Sequence, residues 1–504
     1  MLARPGEAAE LPADFLDELV AGNLAEPVNF DFLPDGRILL VERATARIRL
    51  VVPGAAVQPA PVGTIPDVES GVGDQGLLGI AIDPRWPDHP YVYVHSTCAA
   101  TPNIKVVRYA LAGDLSFQAE GGLTLDAPSR REVLSDLPSD NAIHNGGTLV
   151  FGPDDLLYVS LGDDNIRCSA QDRHQMRGKI LRLDVRGIPD GPGPVWPYSL
   201  LVPPGNPYRN DLDPRTGLVW HRGLRNPWSF DFDPRNQRMA IADVGNRAWE
   251  EVDVVQAGGG NFGWPIFEGP EVYDPDCTED DLSGLIQPAY SYAHASPTSG
   301  GAIILGGICY PAADVAESFP ADYWGDVFYF DLYDGRLKRL KETTGTWAIA
   351  PPVPGQPAAD DWGLGFEFAN RMRFGGDGGL WYLRGSELRR ISYHGTPVGV
   401  PPPANGDNSG LRLAAFPSPA RGAVTVEYSR PGPGPGDVEL DVFDAHGRRI
   451  RRLDVDPAEA PGPIRRTWDG RGDGGERVRP GVYFVRLLAG GERVTRRVVV
   501  LGPE

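Results

Sequence analysis

The sequence predicts an all-β protein, a six-bladed β-propeller followed by a small β-sandwich, on three observations. The first is repetition. A turn rich in Asp, Pro and Gly followed by an apolar strand occurs at FLPDGRILLVE (32–42), IDPRWPDHPYVYVH (82–95), FGPDDLLYVSLGD (151–163), FDPRNQRMAIADVG (232–245), YWGDVFYFDLYDGRLKRL (323–340) and FGGDGGLWYLRGSELRRI (374–391). The second is composition: 63 glycines and 50 prolines in 504 residues are dispersed among short β-rich runs and form no low-complexity block. Many short strands joined by tight turns follow from that. The third is that several copies lead into a further strand with an amphipathic phrase, VVRY (106–109), ILRL (180–183) or LRRI (388–391). Six multi-strand units at roughly 50- to 90-residue spacing imply radial repetition, and a propeller closes such units without exposed edges.

The elements are read in chain order. Residues 1–14 form an N-terminal tail, 15–397 the propeller, 398–410 a Pro/Gly linker (VGVPPPANG begins it) and 411–504 the second domain. Uneven spacing implies long insertions, mainly within 164–232 and 256–323. Such loops are expected to gather on one face above the central channel, where propeller function is usually found. Alternating runs at 438–443, 482–488 and 496–501 make a β-sandwich the economical reading of the last 90 residues. Charge marks the same boundary. Residues 411–504 carry sixteen arginines, no lysine and thirteen carboxylates, which leaves the excess negative charge on the first 410.

A net charge of −20 argues against nucleic acid, because binding phosphates needs a basic face. No run of 18 apolar residues exists to span a membrane. The opening MLARPGEAAELPADF lacks the apolar stretch of a secretory signal, so the chain is either cytoplasmic or begins after a trimmed or misassigned start. Cys98, Cys168, Cys277 and Cys309 lack metal spacing. They allow one or two disulfides or isolated buried thiols.

The run 141–163, NAIHNGGTLVFGPDDLLYVSLGD, holds the candidate chemistry. Leu157, Tyr158, Val159, Ser160 and Leu161 read as a buried strand entered through the turn at 152–155, which carries Asp163 back to the end of the sheet where His144 lies. A histidine oriented by a carboxylate has one tautomer fixed and the other ring nitrogen made more basic. A polar pair at a loop end would look the same in sequence. Among rival signals, GGGNFG (258–263) matches GxGxxG, but Trp264-Pro265 stands where a helix would begin. The acidic run 274–281 could bind calcium but reads first as a solvated loop, Arg471-Gly472-Asp473 spells an adhesion tripeptide and reads as a chance match, and no GxSxG elbow is present.

With a propeller in hand, five phrases acquire a pattern: GDQGLLGIAIDP (73–84), HNGGTLVFGPD (144–154), GLRNPWSFDFDP (223–234), ADVGNRAWEEVDVV (242–255) and NFGWP (261–265). In this order they resemble the soluble glucose and sorbosone dehydrogenase family over about residues 15–393. These are six-bladed propellers whose enzymatic members use pyrroloquinoline quinone (PQQ) and calcium, and the family includes hedgehog-interacting-protein-like members without known redox chemistry. The resemblance implies that His144 is the base taking the proton of the sugar C1 hydroxyl, with Asp163 its orienter. It places Gln75 beside the quinone carbonyls, and Arg225 and Asn226 where a quinone oxygen is polarised. Arg371 and Arg373 resemble an Arg-x-Arg pair; at period two on a strand both guanidiniums face one way and suit a ligand with several carboxylates, a pair of surface arginines being the plain alternative.

Metals enter through the same resemblance. A cofactor-bound calcium would be held by the carbonyls of Gly245 and Asn246, and a structural calcium by Glu251 with the carbonyl of Phe262, Glu250 being the alternative carboxylate; calcium suits such oxygen donors. Two positions depart from the family pattern. Tyr333 stands in LYDG where a basic anchor for the cofactor is expected, and Asn246 replaces a proline. The last 90 residues, with VELDVFDAHGRRIRRL, TWDGRGDGGERVRPGVYFVRL and VTRRVVVL, resemble the Ig-like module of flagellar hook-capping proteins, similar to sorting or attachment modules of secreted bacterial proteins. The expected function is thus oxidation of the anomeric hydroxyl of an aldose by a secreted or periplasmic bacterial quinoprotein that passes electrons to an external acceptor. A non-catalytic binding or adhesion propeller and a calcium-dependent lactonase are the alternatives.

Overall fold

The computed structural model describes residues 8–52, 57–117, 121–277, 285–294, 301–310, 318–395, 412–416, 420, 422–429, 438–444, 449–455, 464–478, 481–489 and 492–500. The linker expected at 398–410 and the end of the acidic run at 278–281 lie outside them. The chain divides into two compact units. One is built on residues 1–395 apart from 114–121 and 311–322, the other on those two segments and 396–504.

The first unit is a six-bladed β-propeller. Each of six antiparallel sheets has four main strands, in chain order in blades one to five, from Pro27–Phe32, Ile38–Glu42, Arg47–Val51 and Gly63–Thr64 in blade one onward, and blade five adds a fifth short strand. All six repeated phrases supply the second strand of a blade and the turn before it, because the turn is encoded locally. In blade three Asp155 adopts φ 59°, Gly152 N donates to Leu156 O (2.9 Å), and Asp155 N donates to Gly152 O (3.0 Å). In the Asp-Pro-Arg copies the arginine folds back on the aspartate two residues earlier. Arg85 meets both oxygens of Asp83 at 2.9 and 2.7 Å, and Arg235 those of Asp233 at 2.8 and 2.6 Å, the fork-to-fork geometry arginine favours.

The second strands read as unbroken apolar runs because both faces are covered. In Leu157–Leu161 all five residues are buried. Leu157 and Val159 pack with Tyr93, Leu181 and Leu183, whereas Tyr158 joins Ile180, Phe230 and Ile241 toward blade four. Alternation along a strand therefore serves two neighbouring blades at once.

Blade six is completed by the start of the chain. Phe15–Ala21 pairs antiparallel with Glu387–Tyr393, with Phe15 opposite Tyr393 and Ala21 opposite Leu388, so the N-terminal segment ties the last blade to the first. The preceding residues are also bonded: Glu10 exchanges both backbone hydrogen bonds with Leu364 at 3.0 Å.

Strand direction alternates, so segments entering first strands and segments linking second to third strands share one end of the propeller. This parity corrects the expectation for the insertions. Residues 184–218 link the third strand of blade three, Lys179–Leu183, to its fourth, Val219–Arg222, and leave the sheet at the end opposite His144. They are strapped to blade two by Arg108, which donates to Ile188 O at 3.1 Å, and Arg131, which donates to Gly191 O and Pro192 O at 3.0 and 2.8 Å. The insertion after Val255 leaves from that same far end but climbs back. Arg222 N donates to Gly260 O and Phe262 N to Arg222 O, both at 3.0 Å, bringing Trp264 to the His144 end.

The second unit is a β-sandwich. Arg412–Phe416, Val424–Ser429 and Ile464–Trp468 form one sheet; Arg449–Leu453, Glu439–Asp444, Gly481–Ala489 and Glu492–Val500 form the other. Val424, Val426, Leu440, Val442, Trp468, Val485 and Leu487 fill its core. The Arg471-Gly472-Asp473 tripeptide lies in a turn in which Asp473 Oδ1 accepts the backbone N–H of Arg452 (3.1 Å). Cys168 is disulfide-bonded to Cys277, while Cys98 and Cys309 are buried free thiols. Among the described residues no helix is long and apolar enough to cross a membrane.

Candidate active site

Gln75, His144, Asp163, Arg225, Asn226, Gly245, Asn246 and Tyr333 all lie on segments at one end of the propeller, either entering first strands or following second strands. His144 is left-handed, φ 60°, in a close-packed corner. A Cβ on Gly162 would lie 2.0 Å from the His144 carbonyl oxygen, and one on Gly146 would lie 2.6 Å from that of Ser160. The glycines around the histidine are thus required by backbone approach. Asp74 Oδ2 accepts the His144 backbone N–H at 2.9 Å.

The His144 ring is held at both nitrogens. Nδ1 is 2.6 Å from Asp163 Oδ1, and Nε2 is 3.0 Å from Arg225 Nη2. A guanidinium only donates, so Nε2 carries the lone pair and Nδ1 the proton, given to Asp163. Asp163 is fully buried and accepts further hydrogen bonds from Asn165 N (2.8 Å) and the Trp264 indole Nε1 (2.9 Å). Both of these partners donate to Asp163, as His144 Nδ1 does in the tautomer assigned above.

Arg225 also donates to Val244 O (2.9 Å) and Asn246 Oδ1 (3.4 Å) and lies over the Trp264 ring at 5.6 Å. Its backbone and that of Asn226 are gripped by Asp243, which accepts both N–H groups at 2.8 and 2.7 Å. Burial pushes the Asp243 carboxyl up to about 7. Asn226 turns its Oδ1 to the Gly146 N–H (3.2 Å), inside the histidine loop. Gln75 is half-buried, with its carbonyl accepting from Arg43 Nη1 at 3.0 Å.

Arg371 and Arg373 lie two residues apart, and so on the same face, on the first strand of blade six, Ala369–Phe374. Arg373 crosses to blade one, donating to Asp31 Oδ1 at 2.9 Å, and has Asp231 of blade four 3.7 Å away. Burial opposes its charge, but Asp231 and Asp31 outweigh it and hold Arg373 above its usual value. Arg371 is 2% exposed, and among the described residues its Nε and Nη2 have no hydrogen-bond partner. Burial, reinforced by the Arg373 charge, pushes it down to about 10. A buried guanidinium without an acceptor fits a carboxylate-bearing ligand in the channel.

The calcium candidates separate into two places. At the turn after Asp243, the N–H groups of Asn246, Arg247, Ala248 and Trp249 converge on Glu268 Oε1 at 2.8, 2.6, 2.9 and 3.3 Å. A turn whose donors point to one carboxylate directs carbonyls elsewhere, as a cation held by backbone oxygens requires. A Cβ on Gly245 would lie 1.6 Å from Trp249 O, so only glycine fits this turn. Glu251 faces Asp243 across the neighbouring strand and shares the sheet face with Asp253. Burial, with the Asp243 charge, pushes Glu251 up to about 8, and burial with Glu251 raises Asp253 well above its usual range. Both Asp253 oxygens have no hydrogen-bond partner among the described residues. Both carboxylates are already engaged: Glu250 with His294 (2.7 Å) and Gly245 N (3.1 Å), and Glu251 with the Gly269 N–H. No three His, Cys, Asp or Glu side chains among the described residues converge as a metal site by themselves.

Asp74, Trp264, Asp243 and Glu268 were not candidates from sequence. Asp74 adjoins Gln75 in the GDQG phrase, Asp243 lies in ADVGNR and Trp264 follows NFG, so these three lay inside noted phrases; Glu268 had no signal. Tyr333 is 55% exposed, its N–H donated to Asp331 Oδ1 at 2.9 Å, and it offers no cationic anchor.

These features define a β-propeller with a carboxylate-oriented histidine at its channel mouth and an arginine pair in the channel. Residues 24–314 match the Glucose / Sorbosone dehydrogenase family, and the chain belongs to that family. Residues 420–491 match the FlgD Ig-like domain. The chain is 34% identical over 343 residues to the HIPL2 protein of Arabidopsis thaliana, covering 54% of this chain. It is 27% identical over 296 residues to quinoprotein glucose dehydrogenase B of Acinetobacter calcoaceticus, covering 53% of this chain and 55% of that protein. The matches span 28% of the length of HIPL1 and 47% of HIPL2 from Arabidopsis thaliana. Among solved structures, the PQQ-bound aldose sugar dehydrogenase of Streptomyces coelicolor superposes with a TM-score of 0.51 at 22% identity, over 76% of this chain and 99% of that one, which shows a shared fold.

Proposed function

We propose that the protein oxidises the anomeric hydroxyl of an aldose to the lactone, with PQQ and calcium, and passes the electrons to an external acceptor. The observation that carries this reading is the His144 ring, whose tautomer leaves Nε2 as proton acceptor at the channel mouth. Nε2 takes the proton of the sugar hydroxyl. The hydroxyl reaches that lone pair by displacing one Arg225 hydrogen bond, and Asp163 stabilises the imidazolium that results. Bound in the channel, the quinone supplies the two-electron acceptor. Arg371, Arg373, Gln75, Arg225 and Asn226 are the residues that would hold it, the carbonyls of Gly245 and Asn246 would hold its calcium, and Glu251 with Phe262 a structural calcium.

We assign catalysis to a propeller spanning 15–397 and attachment or sorting to the module at 411–504, which fits a secreted or periplasmic protein. The test is dye reduction by a panel of aldoses with the purified full chain, PQQ and calcium. Turnover above a His144→Asn control supports the reading. No quinone binding by calorimetry supports a non-catalytic binding propeller, to which the HIPL relatives lend weight, and lactone turnover without cofactor supports a lactonase. A second expectation concerns the missing anchor. Tyr333 is exposed enough to accept lysine without strain, and Tyr333→Lys should tighten PQQ binding by about 1 kcal/mol, roughly fivefold. An unchanged dissociation constant would place this loop away from the quinone.

A further inference from the structure

We propose that the Gln171–Asn261 amide pair is a positioning device for the base, acting through Trp264 on Asp163. Gln171 is 2% exposed and directly follows the short 3-10 turn Arg167–Ala170. Its Nε2 donates to Trp264 O at 2.6 Å and to Asn261 Oδ1 at 3.1 Å, while Asn261 Nδ2 donates back to Gln171 Oε1 at 2.9 Å. Asn261 Oδ1 also accepts the Gly263 N–H (3.1 Å), and Gln171 O accepts Arg222 Nη1 (2.8 Å). A Cβ on Gly223 would lie 2.2 Å from Asn261 Oδ1 and 2.9 Å from Gln171 Nε2. The pair thus sits where three segments meet: the loop leaving Asp163, the segment leading to Arg225, and the segment bearing Trp264.

Both ends of the device are fixed. Lys179, fully buried, donates to the carbonyls of Ser169, Ala170 and Arg177 at 3.1, 2.9 and 2.6 Å, which holds the loop under Gln171. Tyr273 stacks on Trp264 with centroids 5.3 Å apart. The output is one hydrogen bond, Trp264 Nε1 to Asp163 Oδ2 at 2.9 Å. Removing that donor leaves the Asp163 carboxylate less stabilised and more able to hold the His144 proton. The charged groups facing His144 are Asp163 and Arg225 on its ring and Asp74 on its backbone N–H. None of these touches the amide pair directly, and of the three segments that meet at the pair, the one bearing Trp264 ends in a side-chain hydrogen bond to Asp163.

The rate arm of this inference rests on the proposed dehydrogenase reading; a titration arm does not. In the full chain, the His144 imidazole is titrated by NMR with labelled histidine, its signal assigned by loss in His144→Asn. Trp264→Phe and Gln171→Leu should each raise the His144 midpoint by about half a pH unit, about a threefold change in proton affinity. The double variant should shift it no further than Trp264→Phe alone, because the two act in series. If Gln171→Leu does not fold, Gln171→Glu keeps the shape and lacks the donor to Trp264 O. Each variant should also lower kcat by roughly tenfold or more with little change in KM, and move the acid limb of the pH profile upward. A shift in Trp264→Phe with none in either Gln171 variant would make the amide pair merely structural and overturn the proposal, as would an unmoved midpoint in Trp264→Phe. A wild type without turnover would defeat the dehydrogenase reading and leave the titration to decide this one.

Discussion

Replacing His144 with asparagine lowers kcat/KM for aldose oxidation by about 10²- to 10⁴-fold, the usual contribution of a positioned base, while quinone affinity stays within a few-fold of wild type. Asparagine is the informative choice because His144 has φ 60°, a left-handed conformation that asparagine tolerates better than alanine. The variant keeps the backbone, so Asp74 retains the N–H it accepts at 2.9 Å, and the carboxamide can still donate to Asp163. Only the lone pair at Nε2 is lost. Steady-state dye reduction together with calorimetric quinone binding separates the two effects. Loss of binding along with turnover would assign His144 to cofactor retention, and undiminished turnover would remove it from the mechanism.

The architecture was legible where signals are local. Turns such as 152–155 and the Asp-Pro-Arg bends form within a few residues, so their recurrence counted the blades correctly. Ring closure was not legible. The partner of Phe15–Ala21 is Glu387–Tyr393, more than 350 residues away, and nothing in the FLDELVA run names it. The 184–218 insertion was expected over the channel, yet which end of a blade a loop leaves depends on counting strands within that blade. A boundary reading cannot do so where first strands are as short as Leu149–Phe151.

The site divides in the same way. His144 and Asp163 were readable because an alternating strand has definite parity, and Arg371 and Arg373 because period two puts both on one face. Contacts made across blades were not. Trp264 reaches Asp163 over 101 residues and Asp74 reaches His144 over 70, through backbone paths set only by packing. Resemblance placed Arg225 in the site and assigned it to a quinone oxygen; the geometry adds that it grips the base itself.

Arg371→Met should raise the thermal midpoint of the quinone-free protein and weaken PQQ binding by about 2–5 kcal/mol, thirty- to several-thousand-fold. The two effects have one cause. A buried guanidinium whose Nε and Nη2 have no hydrogen-bond partner among the described residues is poorly compensated even with the Asp231 and Asp31 charges near it, and burial, with the Arg373 charge, pushes it down to about 10. A methionine of similar length fills the volume without that cost. Arg373→Met is the contrast. It leaves Asp31 and Asp231 facing each other across the channel without their shared cation, so it should lower the quinone-free midpoint as well as binding. Scanning calorimetry and quinone titration of both variants check this. A destabilised Arg371→Met protein that binds PQQ normally would mean that Arg371 serves the fold, whereas opposite stability changes in the two variants would show that adjacent arginines on one strand divide structural and ligand-binding work between them.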